Sequence, residues 1–207
     1  MEPVRLEEIL GRERYGVVRE AVRRRIIEHK RRSRRVTVGD HISLLFEDRA
    51  TVWYQTQEMI WVEHITDLDA IREELAVYDA LLPGPSELSA TLLIEIADQS
   101  RIREELAQLM GIDRHVWLEV GTEHRVPAIF DEGRQTAEKL SAVQFVRFGL
   151  DGGAKALAAA GAPLAVAVDH PAYRHRAPLS DDVRRSLVSD LTDASAAEAA
   201  LRYVRDG

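Results

Sequence analysis

The chain of 207 residues contains no cysteine. That single absence excludes disulfides, thiolate zinc sites, protein-ligated iron–sulfur clusters and a cysteine nucleophile. Long apolar runs are missing too: nothing approaches the ~18 consecutive apolar residues of a membrane-spanning helix. The first residues, MEPVRLEEILGRERYG, are charged from the start and have no apolar stretch of the kind a secretory signal needs. A cytoplasmic location is the resulting expectation. Positive charge is in deficit, with a net charge of -7, which weakens general affinity for nucleic acid because Lys and Arg on phosphate supply nearly all non-specific binding. There is no internal repeat, no low-complexity linker, no G-x-S-x-G elbow around Ser89 to Thr91, no Walker or dinucleotide glycine spacing, and no HExxH.

What is present suits a folded protein. With 45% hydrophobic and 30% charged residues the composition is globular, and the length is enough for one domain with its own core. Apolar residues Ile9, Leu10, Tyr15, Val18, Val22, Ile26 and Ile27 recur mostly at steps of three or four. They mark an amphipathic helix from Leu6 to Arg32, with Gly11 and Gly16 as possible breaks. Val36 to Val38 and His41 to Phe46 read as two short strands around a Gly39-Asp40 turn. Asp48 is the natural cap of the helix that follows, and Asp67 caps another, Leu68 to Leu82, which Pro83-Gly84-Pro85 ends. Glu87 to Ile96 becomes an almost continuous apolar run, as expected of a central strand buried on both faces.

Further on, a helix from about Ser100 to Met110 ends at Gly111. Strands are expected at His115 to Val120, Val126 to Phe130, Ala142 to Phe148 and Ala162 to Val168. Asp131 to Leu140 reads as either a short helix or an exposed connection. Gly152-Gly153 opens an Ala-rich helix, where paired glycines could present amides to a phosphate, and Ser180 starts a helix to about Leu191. The pattern predicts an α/β (α+β) fold: a single domain over residues 1–207 with one mixed β-sheet and helices packed on it. Its helical part spans about 6–82, its sheet-and-helix part about 86–191, and a weakly ordered tail, a weaker helix or frayed end, follows over 193–207.

Chemistry concentrates in VWYQTQEMIWVEHI, Val52 to Ile65. On a helix Tyr54, Glu58 and Trp61 share one stripe, with Gln57, Trp61 and His64 beside it. So many apolar and aromatic residues around the helix imply enclosure, and its polar residues then need partners. Glu58 is the residue most open to a perturbed pKa: either a general base or metal ligand, or a structural acid paired with an arginine of the first helix. Glu63 and His64 are adjacent, hence about 100° apart on a helix and no chelating pair. A metal site assembled from Glu58, His64 and Glu95 is conceivable. His170, just beyond a buried strand, lies where α/β folds place binding residues, or else it shapes a turn before Pro171. The Arg-rich segment 19–35, with Arg31, Arg34 and Arg35 toward its end, is either an anion or RNA contact or a solvated face. The candidate site is thus Glu58 as the acid, with Arg31, Arg34, Arg35, Gln57, His64 and His170 as ligand-binding residues.

The blocks KRRSRRVTVGDHISLLFEDRATVWYQTQEMIWVEHI, ELAVYDALLPGPSELSATLLIEI, LMGID and SAVQFVRF, from about Arg12 to Phe148, resemble the bacterial family domain of unknown function 3501. No catalytic residues carry over from it. The resemblance implies a role near rubrerythrin and an iron–sulfur protein similar to the heterodisulfide reductase subunit, in peroxide defence or electron transfer. A chain without cysteine would serve there as an accessory or partner. An enzyme or small-ligand binder around Glu58 is the alternative expectation, and RNA binding by the basic segment a third.

Overall fold

The computed structural model describes residues 1–132 and 140–207. In order these form α1 (Arg12–Ser33), β1 (Arg35–Val38), β2 (Ile42–Phe46), α2 (Arg49–Val62), α3 (Leu68–Asp79), β3 (Glu87–Ile94), α4 (Ile102–Gln108), β4 (Val116–Val120), β5 (His124–Pro127), β6 (Ile129–Phe130), β7 (Val143–Gly149), α5 (Gly152–Ala159), β8 (Leu164–His170), β9 (Tyr173–Pro178), α6 (Asp181–Thr192) and α7 (Ala194–Asp206). The stretch read as either a helix or a connection, Asp131 to Leu140, falls mostly outside the described residues.

The α/β class stands, while the strands divide into two sheets rather than one. The orders are β1-β2-β3-β7-β6 and β5-β4-β8-β9, and the described pairings are antiparallel. Short links such as the Gly39-Asp40 turn join neighbouring strands directly, which only antiparallel pairing allows. Gly39 sits at φ +69, a backbone that glycine adopts without steric cost. β3 is central, as its apolar run predicts. By period-two alternation its Leu88, Ala90, Leu92 and Ile94 enter a core shared with Leu118 of β4 and Val166 of β8, so the two sheets close on one another. β9 has no apolar alternation to announce it. It is an edge strand with an exposed polar face, held by register to β8 with Ala167 opposite Arg176.

A second core contains Tyr15, Val22 and Ile26 of α1, Trp53 of α2, Leu75 of α3, and Leu201 and Val204 of α7. The tail is therefore a packed helix. Leu201 and Val204 are 0% exposed, and full burial of such side chains is worth about 1.5–3 kcal/mol each. Its Ala-rich sequence hid this, since only a few bulky residues mark the inner face. Arg25 of α1 donates to the carbonyls of Val204 at 3.0 Å and Arg205 at 3.2 Å, satisfying acceptors a helix end leaves open.

The glycines of the first helical stretch behave differently from each other. Gly11 is the N-cap of α1, preceded by a 3-10 turn at Leu6–Glu8, so the helix does begin after it. Gly16 interrupts nothing. A Cβ there would lie 2.8 Å from Cη2 of Trp61, so the missing side chain is the space into which α2 packs its ring. Asp151 caps α5 by accepting from the Ala154 amide at 2.8 Å, a carboxylate where a phosphate was conceivable. Among the described residues no helix is long and apolar enough to cross a membrane.

Candidate functional site

α2 begins where three consecutive charged residues, Glu47, Asp48 and Arg49, turn inward. Asp48 is the cap: its carboxylate accepts from the Thr51 amide at 2.8 Å while its own amide donates to Thr51 Oγ1 at 2.9 Å. It is 0% exposed, so its second oxygen needs charged partners. His29 Nε2 at 2.7 Å and Arg34 Nη2 at 2.9 Å supply them. Arg34 in turn holds Asp190 of α6 with both terminal nitrogens. Burial alone would raise the Asp48 carboxyl, but Arg34, His29 and the Thr51 amide outweigh it and bring it well below the usual carboxylate range. The neighbouring Glu47 goes the other way. Burial raises it even though it accepts from Thr51 at 2.5 Å, Thr91 at 2.6 Å and Gln55 at 3.1 Å. Lys30, beside both acids, is lowered by burial. Two adjacent carboxyls displaced in opposite directions make a site that can hold a proton on one and a charge on the other.

Arg49, 4% exposed, anchors a second set of charges. It donates to Glu8 at 2.6 Å, to the Pro3 carbonyl at 3.2 Å and to Glu198 of α7. Glu8 also binds Arg5 at 3.1 Å, and Glu198 binds Arg202 at 3.0 Å. The result is an alternating ladder, Arg5–Glu8–Arg49–Glu198–Arg202, along a cleft of about 840 Å³ whose wall also includes Asp190, Asp193 and the Gly84-Pro85 turn.

None of the seven residues expected from sequence lines this cleft, although Arg34 is joined to its wall through Asp190. Glu58 is in a closed ion pair: Arg19 grips it with Nε at 2.9 Å and Nη2 at 2.8 Å, and Tyr15 donates its hydroxyl at 2.6 Å. Burial pulls the Glu58 carboxyl up, and these hydrogen bonds pull it further down, to below its ordinary value. Of the two roles left open, the geometry matches the structural acid paired with a first-helix arginine. Gln57 imitates backbone, accepting from the Leu10 amide at 2.8 Å and donating to the Leu10 carbonyl at 2.9 Å. His64 is exposed just past the end of α2, at φ +59, with Nδ1 3.1 Å from the Trp61 carbonyl. Arg35 reaches Ser43 and Glu95 across the sheet, and Arg31 is exposed on α1.

His170 is buried at the end of β8. Its Nδ1 accepts from the Ala172 amide at 3.3 Å, so Nε2 carries the proton that bonds the Met110 carbonyl at 3.0 Å. This is the turn-shaping role. Among the described residues no hydrogen bond or ion pair joins any two of these seven, and no group of three or more His, Asp or Glu is placed to hold a metal ion. Glu58, His64 and Glu95 in particular have separate partners. Of the charged residues that do converge, Arg34 was expected as a site residue and Asp48 as a cap, while Glu47, Arg49 and Asp190 were not foreseen, the last two because their partners are remote in the chain. The one local signal was three successive charges between a buried strand and a buried helix.

The α1–α2 crossing has a character of its own. Trp61 lies under the guanidinium groups of Arg12 at 5.4 Å and Arg19 at 5.8 Å, and Lys30 lies 5.2 Å over Tyr54. Such cation–π contacts hold the cationic stripe of α1 in place along the aromatic stripe of α2. On the same two helices Ile27 is 54% and Val62 62% exposed.

The chain is similar to a solved structure described as a novel protein of unknown function from Burkholderia pseudomallei. The two are 44% identical with a TM-score of 0.86, over 92% of this chain and 100% of that one. No curated protein matches. The sequence profile of the family described as protein of unknown function, DUF3501, matches residues 3–191, and with the blocks that carry the resemblance folded into one α/β unit, the chain belongs to that family.

Proposed function

We propose that this protein is a cytoplasmic accessory component of a redox or peroxide-defence module, and that it docks an acidic partner protein along the α1–α2 crossing. The observation that carries the docking mode is the basic and aromatic stripe there. α1 holds eight arginines and one lysine against three glutamates, within a chain of net charge -7. Arg12 and Arg19 lie over the half-buried Trp61, whose neighbour Val62 is exposed, while Arg23 acts on Tyr54 and Glu58 and Ile27 is exposed further along α1. Arginine and tryptophan beside exposed aliphatic residues match the composition of binding hot spots, and the positive field favours a negatively charged surface. The identity of the partner, an iron–sulfur oxidoreductase or a rubrerythrin-like protein, is supported by the family resemblance. A chain without cysteine would contribute contacts to such an assembly while its partner ligates the cluster by thiolates.

The test is co-elution of the purified protein with each candidate partner at micromolar concentration. A complex that forms with wild type and is lost with an Arg23→Glu, Ile27→Asp double variant supports the reading. Failure to co-elute with either partner removes it, as would retention on RNA at low salt with neither protein bound.

A further inference from the structure

We propose that the cleft between the N-terminal segment and α7 binds a small organic anion, with a carboxylate or phosphate group held between Arg5 and Arg202 over a base fixed by Arg49. Its volume of about 840 Å³ lies in the range of small-molecule sites, roughly 300–1,000 Å³. Four separate parts of the chain build its wall: the segment before α1, the start of α2, the turn before β3, and the α6–α7 corner. Ion pairs join the segment before α1, the start of α2 and α7, and the Met1 ammonium donates to the Pro83 carbonyl at 2.6 Å beside the turn before β3, so the cleft is held open by its own polar contacts.

The sign of the ligand follows from which groups have bonding capacity left. Both oxygens of Glu8 are taken, one by Arg5 Nη2 at 3.1 Å and the other by Arg49 at 2.6 Å and the Arg5 amide at 2.8 Å. Those of Glu198 are divided between Arg202 and Arg49. Asp190 spends both oxygens on Arg34. Asp193 accepts from the Ser195 amide at 2.9 Å and hydroxyl at 2.7 Å, capping α7. Glu2, exposed at the rim, is the one acid on the wall with no such bond among the described residues.

The arginines are less committed, because each guanidinium carries five N–H donors. Among the described residues Arg202 uses only Nε, and its side chain is 68% exposed; Arg5, with Nε 3.4 Å from Glu7 and Nη2 on Glu8, keeps Nη1 free, with a side chain 58% exposed. Even Arg49 Nε, fully buried, has no hydrogen-bond partner among the described residues. Counting Glu7, which lies 3.4 Å from Arg5 Nε, three arginines meet three glutamates, and a cation with spare donors stands toward each end of the ladder. Planar guanidinium forks match the paired oxygens of carboxylate and phosphate. Cationic or purely apolar ligands would leave those donors unmet.

The experiment is titration of the wild-type protein with inorganic phosphate and with succinate, followed by calorimetry and by thermal unfolding, against sodium chloride at matched ionic strength. A ligand that binds only the folded state raises its stability in a saturable way. One-to-one saturable binding of either anion is expected, weaker by about tenfold or more in Arg202→Gln and in Arg5→Gln, a change that corresponds to ~1.4 kcal/mol. Both side chains are largely exposed, so these variants keep the fold. Saturation by phosphate alone assigns the site to phosphorylated compounds, and saturation by succinate alone to carboxylates. The proposal is overturned if neither anion saturates beyond the chloride control, or if both variants bind as well as wild type. Arg23→Glu, on the opposing α1–α2 stripe, should bind these anions normally, which separates this site from the docking surface.

Discussion

Gly16 and Trp61 occupy one place in the protein: a single added carbon on the glycine would meet the indole ring at 2.8 Å. The same ring makes an edge-on contact with Tyr15, centroids 6.1 Å apart, and Tyr15 binds Glu58. The crossing of α1 and α2 is therefore set by an absent side chain and locked by an ion pair beside it.

Gly16→Val should drive the indole off α1. Overpacking of this kind costs about 1–3 kcal/mol, and the β-branched residue gains little helix propensity to offset it. Urea denaturation measures the loss, and a shift of tryptophan emission toward the red reports the exposed ring. A variant as stable as wild type, with unchanged emission, would contradict the close packing.

Arg34→Met leaves Asp48 and Asp190 buried without their shared cation. Removal of one partner from a buried pair is expected to destabilise by about 3–5 kcal/mol, far more than any change at the exposed Arg31. Chemical denaturation of the two variants side by side decides this. Equal, small losses would mean that Asp48 and Asp190 find other partners.

Glu58→Gln should be mild. The Glu58 and Arg19 side chains are 20% and 29% exposed, so solvent screens the pair, and glutamine keeps an acceptor for Tyr15. A loss of about 1 kcal/mol is expected. A fall several times larger would show that the carboxylate supports more of the α1–α2 crossing than its contacts indicate.

Asp169 gives the clearest pH dependence. Burial would raise its carboxyl, but hydrogen bonds from Arg125, Trp117 and His115 hold it down at about 2, against ~3.9 for an ordinary aspartate. A carboxyl depressed in the folded state contributes stability above its unfolded pKa and loses it as the pH falls through the folded one. The side chain is 39% exposed, which reduces the effect to about 1 kcal/mol after screening. Asp169→Asn should accordingly be less stable than wild type at pH 5–7, with the gap closing between about pH 4 and pH 2. A gap that persists unchanged to pH 2 would rule out this linkage.

Sequence disclosed what depends on near neighbours. Asp48, Asp67 and Ser180 were readable as caps because a cap bonds amides only two or three residues ahead. β3 was readable as central because burial on both faces removes alternation. Glu58 was readable as a residue needing a partner because its helix looked enclosed, with an arginine of the first helix as one of the two roles left open. The division into two sheets was hidden because nothing local tells a strand which of several others it will join. The Arg49 ladder was hidden for the same reason: its acids stand 41 and 149 positions away. β9 escaped because an edge strand with polar residues has no period to detect.

The grip of Arg25 on the last turn of α7 also sets an order of events during synthesis. α1 and α2 leave the ribosome early, yet Leu201 and Val204, which cover Tyr15 and Trp53 in one core, come some 180 residues after Arg25. Until they emerge, the helical layer has an uncovered apolar side, which is the stage at which chains of this size aggregate. The two sheets need nothing from α7 for their shared core. Assembly can thus begin in the middle of the chain and finish by fastening its two ends together.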